Sequence, residues 1–218
     1  MMKRVAEFEK VSFEQFKKDW IDKFGDMRDD GAILQIYNNV KLPKRATTGS
    51  AGHDISIPFP IAVAPTDTLM IPTGIRCKMA RDYVMLVFVR SSVGIKKHLQ
   101  LVNQTGVIDS DYYNADNEGH LFVCLKNEGN DVVQFLPGDN IVQAVFVPFG
   151  VADTEEVTEE RTGGIGSTTR ESKNTNHHNA KWHTREGREV NCACCNRVIL
   201  DTDNYCQYCG KPNQTKIS

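Results

Sequence analysis

The chain has 218 residues, enough for one ordinary domain with an appendage and for a sizeable buried core. Its 26 Lys and Arg nearly balance 28 Asp and Glu, for a net charge of −2, so there is no global basic footprint for nucleic acid or an acidic membrane surface. The longest wholly apolar run, 83–89, is too short to cross a bilayer, and the N-terminus mixes Lys, Arg and Glu without a signal-peptide core; a soluble, cytoplasmic protein is expected.

From Ser12 the apolar residues Phe13, Phe16, Trp20, Ile21 and Phe24 recur three or four apart, which predicts an amphipathic helix. Ser12 and Gln15 form a capping-box pair at its start and Gly25 a stop at its end. Its apolar stripe is expected to dock on the chain's own core or on a neighbouring subunit. Beyond it, short β-branched runs at 33–40, 54–64, 68–79, 83–90, 120–126, 132–135 and 141–149 read as strands separated by Pro, Gly, Asn and Asp. Many short strands without alternating helices predict a mainly β fold, an antiparallel sandwich, jelly roll or barrel. An acidic connector, a glycine-rich patch and a polar run follow Gly150, a composition that buries too little apolar surface to fold alone. The expected organisation is an N-terminal helical segment (1–32), a β domain (33–150), a glycine-rich arm (151–170), a polar linker (171–189) and a cysteine-bearing tail (190–218).

Chemistry concentrates in a few stretches. Gly106-Val-Ile-Asp-Ser-Asp-Tyr-Tyr113 looks like a strand entering a tight hairpin, with Asp109 near the amide of Asn103 and able to orient a water molecule. A calcium loop starting at Asp109 is excluded, because Tyr113, Asn114 and His120 fall where an oxygen ligand, a turn glycine and a bidentate Glu are needed. In 161–170, three glycines let the backbone approach an anion, Ser167 and Thr168 add hydroxyls, and Arg161 and Arg170 add charge. This is a phosphate cradle without the lysine of a P-loop. Arg90-Ser-Ser-Val-Gly94 follows the most apolar strand and reads as a second phosphate anchor. Asp54 begins a strand and suits outer-shell contact with a hydrated Mg²⁺, and Gln143 enters another strand after a Pro-Gly turn.

Five of the seven cysteines crowd the tail, while Cys77 and Cys124 stand alone in apolar segments as ordinary buried thiols. Cys192 with Cys195 and Cys206 with Cys209 make two C-x₂-C pairs whose spacing predicts a tetrahedral Zn²⁺ site, a small zinc ribbon, with the segment between the pairs able to form a hairpin. Cys194 is the spare thiol or takes a neighbour's place. A redox dithiol is the competing reading; a zinc deaminase is excluded, since no H-x-E precedes a C-x-x-C. The tail's charges nearly cancel, so a structural or protein-contact module is expected rather than a nucleic-acid binder.

Taken together and in order, 51–55, 90–94, 106–113, 138–143 and 161–169 resemble the five motifs of the trimeric deoxyuridine triphosphatases (dUTPases), over roughly residues 33–170. The resemblance implies a jelly-roll-like homotrimer with active sites between subunits, hydrolysing dUTP to dUMP and pyrophosphate with Mg²⁺. It implies that Asp109 activates water for in-line attack on the α-phosphorus and that Tyr112 packs on the deoxyribose and excludes a ribose hydroxyl. Asn103 and the backbone from Gly106 to Ile108 would pair with uracil. Arg90, Ser91, Ser92 and Gln143 would hold phosphates, Asp54 would meet the Mg²⁺ water shell, and Arg161 with Ile165, Gly166, Ser167 and Thr168 would close over the substrate from another subunit. Four positions depart from the pattern: Ile165 stands where Phe is usual, Asn114 where Gly is, Asn140 where a basic residue is, and Thr169 where the arm's last Gly is. Loss of the ring at 165 predicts a weaker lid, since base–aromatic stacking is worth about 1–3 kcal/mol. The alternatives are a dCTP deaminase on the same fold, which needs an acid–base Glu in the central hairpin, and a dUTP-binding switch acting on a protein partner through the N-terminal helix or zinc tail.

Overall fold

The computed structural model describes residues 3–25 and 29–154, Arg161 and Gly163, and the backbone of 189–191 and 198–200. In chain order the elements are β1 (Ala6–Lys10), α1 (Phe13–Phe24), α2 (Asp30–Asn38), β2 (Lys44–Arg45), β3 (His53–Ser56), β4 (Ile61–Val63), β5 (Thr68–Pro72), β6 (Ile75–Met79) and β7 (Tyr83–Val89). They continue with α3 (Ser91–Lys97), β8 (Leu99–Leu101), β9 (Gly106–Ile108), a 3-10 turn (Ser110–Asn114), β10 (Phe122–Asn127), β11 (Val133–Phe135), β12 (Asn140–Pro148), β13 (Glu189–Asn191) and β14 (Val198–Leu200). The architecture is mainly antiparallel β, as the strand pattern predicts.

The largest sheet runs β2-β3-β12-β7-β9 and a second runs β5-β10-β8. β7 and β12 form the longest pairing, from Val142 opposite Val89 to Pro148 opposite Tyr83. Ile141 and Val142 are neighbours and yet both fully buried. A register shift between Asn140 and Val142 explains this, because a bulge turns one extra side chain toward the core. Ile55, Ile57, Ile71, Ile75, Met85 and Leu125 complete the centre of that core.

The helix at 13–24 forms as its signals require: the Ser12 hydroxyl accepts from the Gln15 amide, and Gly25, at φ +58°, ends it with its N–H on the Ile21 carbonyl. Its apolar face docks on the chain's own core. Phe16 is fully buried, and Trp20 meets Phe59 edge-on at 4.8 Å. Burying a side chain such as Phe16 contributes about 1.5–3 kcal/mol. The capping box is completed differently from the sequence reading. Gln15 turns inward to donate to Asp19, and the carboxylate that accepts from the Ser12 amide is Glu118, far along the chain.

Other elements also differ from the pattern. Residues 33–40, expected as a strand, lie mostly in α2, capped by Asp29, whose carboxylate accepts from the Ala32 amide at 3.0 Å. Ile33, Ile36 and Tyr37 recur at helical spacing and turn inward, and that period outweighs their β-branching. The expected strand 54–64 is cut in two by Pro58 and Pro60, and 68–79 by Gly74 at φ +77°. The motif after β9 makes no hairpin with β10, which pairs instead with β5 and β8; it winds into the 3-10 turn. β1, absent from the sequence reading, pairs along β6 from Ala6 opposite Met79 to Lys10 opposite Ile75.

Cys77 is buried and Cys124 half-buried, both free thiols. Burial, with Glu9 nearby, pushes the Cys77 thiol up to about 12. Among the described residues no helix is long and apolar enough to cross a membrane. The zinc ligands Cys192, Cys195, Cys206 and Cys209, with Cys194, and the arm residues Ile165, Gly166, Ser167 and Thr168 lie outside the described residues. β13 and β14 pair antiparallel, Val190 opposite Ile199, and the first C-x₂-C pair falls between them in the chain.

Candidate active site

The predicted residues gather into two groups on the largest sheet. The first is built where β3, β12 and β7 run side by side. Asp54 on β3 sits opposite Gln143 on β12, and the Arg90 Nε, just past β7, donates to Asp54 Oδ1 at 3.0 Å. Asn140 Nδ2 approaches the other carboxylate oxygen at 3.4 Å. The Arg90 amide donates to the Ile141 carbonyl, which ties the anchor to β12. Ser91 and Ser92 follow as the exposed first turn of α3. Gly52 packs against the Gln143 side chain, so a Cβ there would push the Gln143 amide aside.

The second group surrounds the turn after β9. Asp109 precedes the 3-10 turn, and its carboxylate and that of Asp111 are about half exposed. Arg161 bridges the two: Nη2 lies 2.5 Å from Asp109 Oδ2, and Nε donates to Asp111 Oδ1 at 2.9 Å. The guanidinium also stands 5.8 Å from the centre of the Tyr112 ring. Carboxylates this exposed make such pairs worth only about 0–1 kcal/mol, so the bridge positions the arm more than it stabilises the fold. Arg161 here lies on carboxylates of its own chain. Asp111 emerges as its second partner, a role the sequence did not reveal.

Tyr112 is buried, its hydroxyl donating to the His120 carbonyl at 2.8 Å and accepting from Asn117 Nδ2 at 2.9 Å. Burial raises its phenol above the ordinary value despite the Asn117 hydrogen bond, so it stays protonated at neutral pH. β9 is the edge strand of its sheet, so the side of Gly106–Ile108 that faces away from β7 has no strand beside it among the described residues. Free main-chain donors and acceptors on such an edge suit the edge of a base. The Asn103 amide is close by, 3.9 Å from where a Cβ on Gly106 would stand.

The two groups are far apart. Ile108 pairs with Met85, so Asp109 falls beside Val84, six residues along β7 from Arg90 and roughly 20 Å away at about 3.3 Å per residue. Two P–O–P links separate the first and last phosphorus atoms of a triphosphate, a much shorter reach. Glu118, His120 and Asp19, which hold the loop behind Tyr112, carried no sequence signal because Asp19 and His120 are 101 positions apart.

Comparison with known proteins identifies the family. The dUTPase family model matches residues 38–169, a span that contains all five motifs. The deoxyuridine 5'-triphosphate nucleotidohydrolase of Lactococcus lactis subsp. lactis (strain IL1403) is 46% identical over 141 residues, covering 62% of this chain and 94% of that protein. Its counterpart from Sodalis glossinidius (strain morsitans) is 36% identical over 145 residues, 63% of this chain and 93% of the relative. The crystal structure of dUTPase from Streptococcus mutans superposes with a TM-score of 0.52 at 35% identity, over 67% of this chain and 98% of that one. Nearly whole relatives are matched, the family model covers a continuous stretch that carries the two largest sheets and both residue groups, and the chain belongs to the dUTPase family.

Proposed function

We propose that the chain hydrolyses dUTP to dUMP and pyrophosphate, with Asp109 as the base. The observation that carries this reading is Asp109 at the end of the edge strand β9, beside Arg161 and the Tyr112 ring. The Asp109 carboxylate takes a proton from water as the water oxygen forms its bond to the α-phosphorus; the bond to the bridging oxygen breaks and pyrophosphate leaves with that electron pair. Gly106–Ile108 and Asn103 read the uracil edge, and the Tyr112 ring covers the sugar face. A triphosphate offers the Arg161 guanidinium bidentate acceptors in place of Asp109 and Asp111, which frees Asp109 to act.

Ser91, Ser92, Arg90 and Gln143 hold phosphates, and their distance from Asp109 supports a homotrimer in which the two residue groups of different copies face each other. Arg161 and residues 165–168 close over the substrate. Asp54 fits a hydrated magnesium ion rather than a directly bound one: Arg90 already engages one of its oxygens, and among the described residues no cluster of three ligands exists. When bound with the triphosphate, magnesium screens the phosphate charge and orients it for in-line attack. The tail reading, a structural Zn²⁺ held by two C-x₂-C pairs and offering a protein-contact surface, is supported by the spacing and by the β13–β14 pairing around the first pair.

Pyrophosphate release from dUTP, dCTP, dTTP and UTP, with and without Mg²⁺, tests the assignment: dUTP alone is turned over rapidly, and Mg²⁺ raises the rate. Asp109→Asn abolishes turnover while dUTP still binds. Wild-type rates in that variant would refute the role of Asp109, and deamination of dCTP would replace the activity.

A further inference from the structure

α1 precedes the stretch matched by the family model, yet two clamps join it to the loop 115–120 that follows Tyr112. At the N-terminus of α1, the Glu118 carboxylate accepts from both the amide and the hydroxyl of Ser12, each at 2.7 Å. Two turns further along, Asp19 Oδ2 meets the fully buried His120 ring at Nδ1, at 2.5 Å, and accepts from Gln15 Nε2 at 2.8 Å. His120 Nε2 accepts from the Gly74 amide at 2.8 Å, which places the ring proton on Nδ1 and makes the imidazole the donor to Asp19.

The other face of the loop grips Tyr112. Its hydroxyl is held by the His120 carbonyl and the Asn117 amide, and Asn117 in turn accepts from the Gly119 amide. Gly119, at φ +68°, packs so tightly that a Cβ would lie 2.7 Å from the Tyr112 carbonyl oxygen. Glu118 itself sits at φ +57°, a left-handed conformation unfavourable to a side chain and held here by the Ser12 clamp.

We propose that α1 sets the position of the Tyr112 ring through this loop, so that Ser12, Asp19, Glu118 and His120 are positioning residues for discrimination between deoxyribose and ribose. The inference rests on the reading of Tyr112 as the residue that covers the sugar. Small displacements of a positioned group cost large factors in selectivity, whereas a merely structural helix would change the turnover of all nucleotides alike.

The test is kcat/KM for dUTP and for UTP in the full-length chain, assayed where circular dichroism shows each variant folded. Glu118→Gly removes the clamp while relieving the left-handed backbone, and Asp19→Ala removes the second clamp independently. Each is expected to lower the dUTP-to-UTP ratio about tenfold. Glu118→Gln, which still accepts from Ser12, keeps most of the ratio. Ratios unchanged in Glu118→Gly and Asp19→Ala, with Tyr112→Ala collapsing the ratio, overturn the inference alone. A ratio unchanged in Tyr112→Ala overturns the sugar-covering reading and the inference with it.

Discussion

Replacing Asp19 with Ala is the most direct challenge to the way α1 is held. The substitution removes the acceptor shared by the buried His120 Nδ1–H and the Gln15 amide. His120 is fully enclosed, between the rings of Phe16 and Phe122 at 6.0 and 4.7 Å, and Gln15 is also buried, so water does not easily replace the lost oxygen. Each orphaned donor costs about 1–3 kcal/mol, and the two together about 3 kcal/mol. In a chain of this size that lowers Tm by about 6–12 °C, since each kcal/mol is worth about 2–4 °C. Calorimetry and urea titration at one fixed protein concentration should show the fall in Tm and in the urea midpoint with the slope unchanged. A loss below about 1 kcal/mol would refute the claim that this contact is desolvated and shared by two donors.

Restoring a ring with Ile165→Phe should lower KM for dUTP, by a factor consistent with part of the roughly 1–3 kcal/mol available from stacking; steady-state kinetics showing an unchanged or higher KM contradicts a lid role at 165. For Glu118, burial acts to raise the carboxyl, but the hydroxyl and amide of Ser12, with the Arg76 charge, hold it below the ordinary 4.5. The folded state therefore favours the carboxylate. The stability advantage of wild type over Glu118→Ala is present above pH 4.5 and closes as the pH falls below it; a gap that persists in acid speaks against an ionic clamp. Metal analysis of the folded chain should find one zinc per chain, lost on replacing Cys206 and Cys209 with Ser. Its absence would favour a redox dithiol.

Much of the chemistry was legible in the chain because it is local. The motif residues from Asp54 to Arg161 are recognised by what sits within a few positions of them, and the short, nearly continuous apolar runs rich in β-branched residues along 83–89 and 141–147 need no partner to be identified as strand. The α1 helix was equally legible, with its stop at Gly25 and the Ser12 hydroxyl as its cap. Less visible were places where local signals compete. Ile33 and Ile36 carry both β-branching and helical spacing, and the Asp29 cap with an inward face decides for helix.

What the sequence by itself determined was the inventory of the proposed site: Asp54, Arg90, Ser91, Ser92, Asp109, Tyr112, Gln143 and Arg161, in the order of five motifs along the chain. Only the tertiary structure decided how they are arranged. Strand order placed Asp109 at the end of an edge strand and Arg90 with Asp54 at the far end of β7. It also brought Glu118 to the N-terminus of α1 and Asp19 to His120, where buried donors and a helix end needed acceptors that their own neighbours in the chain did not provide. Pairings across about a hundred residues leave no periodic trace. They arise because a folded core must satisfy every polar group it encloses, and that requirement exists only once the chain has folded.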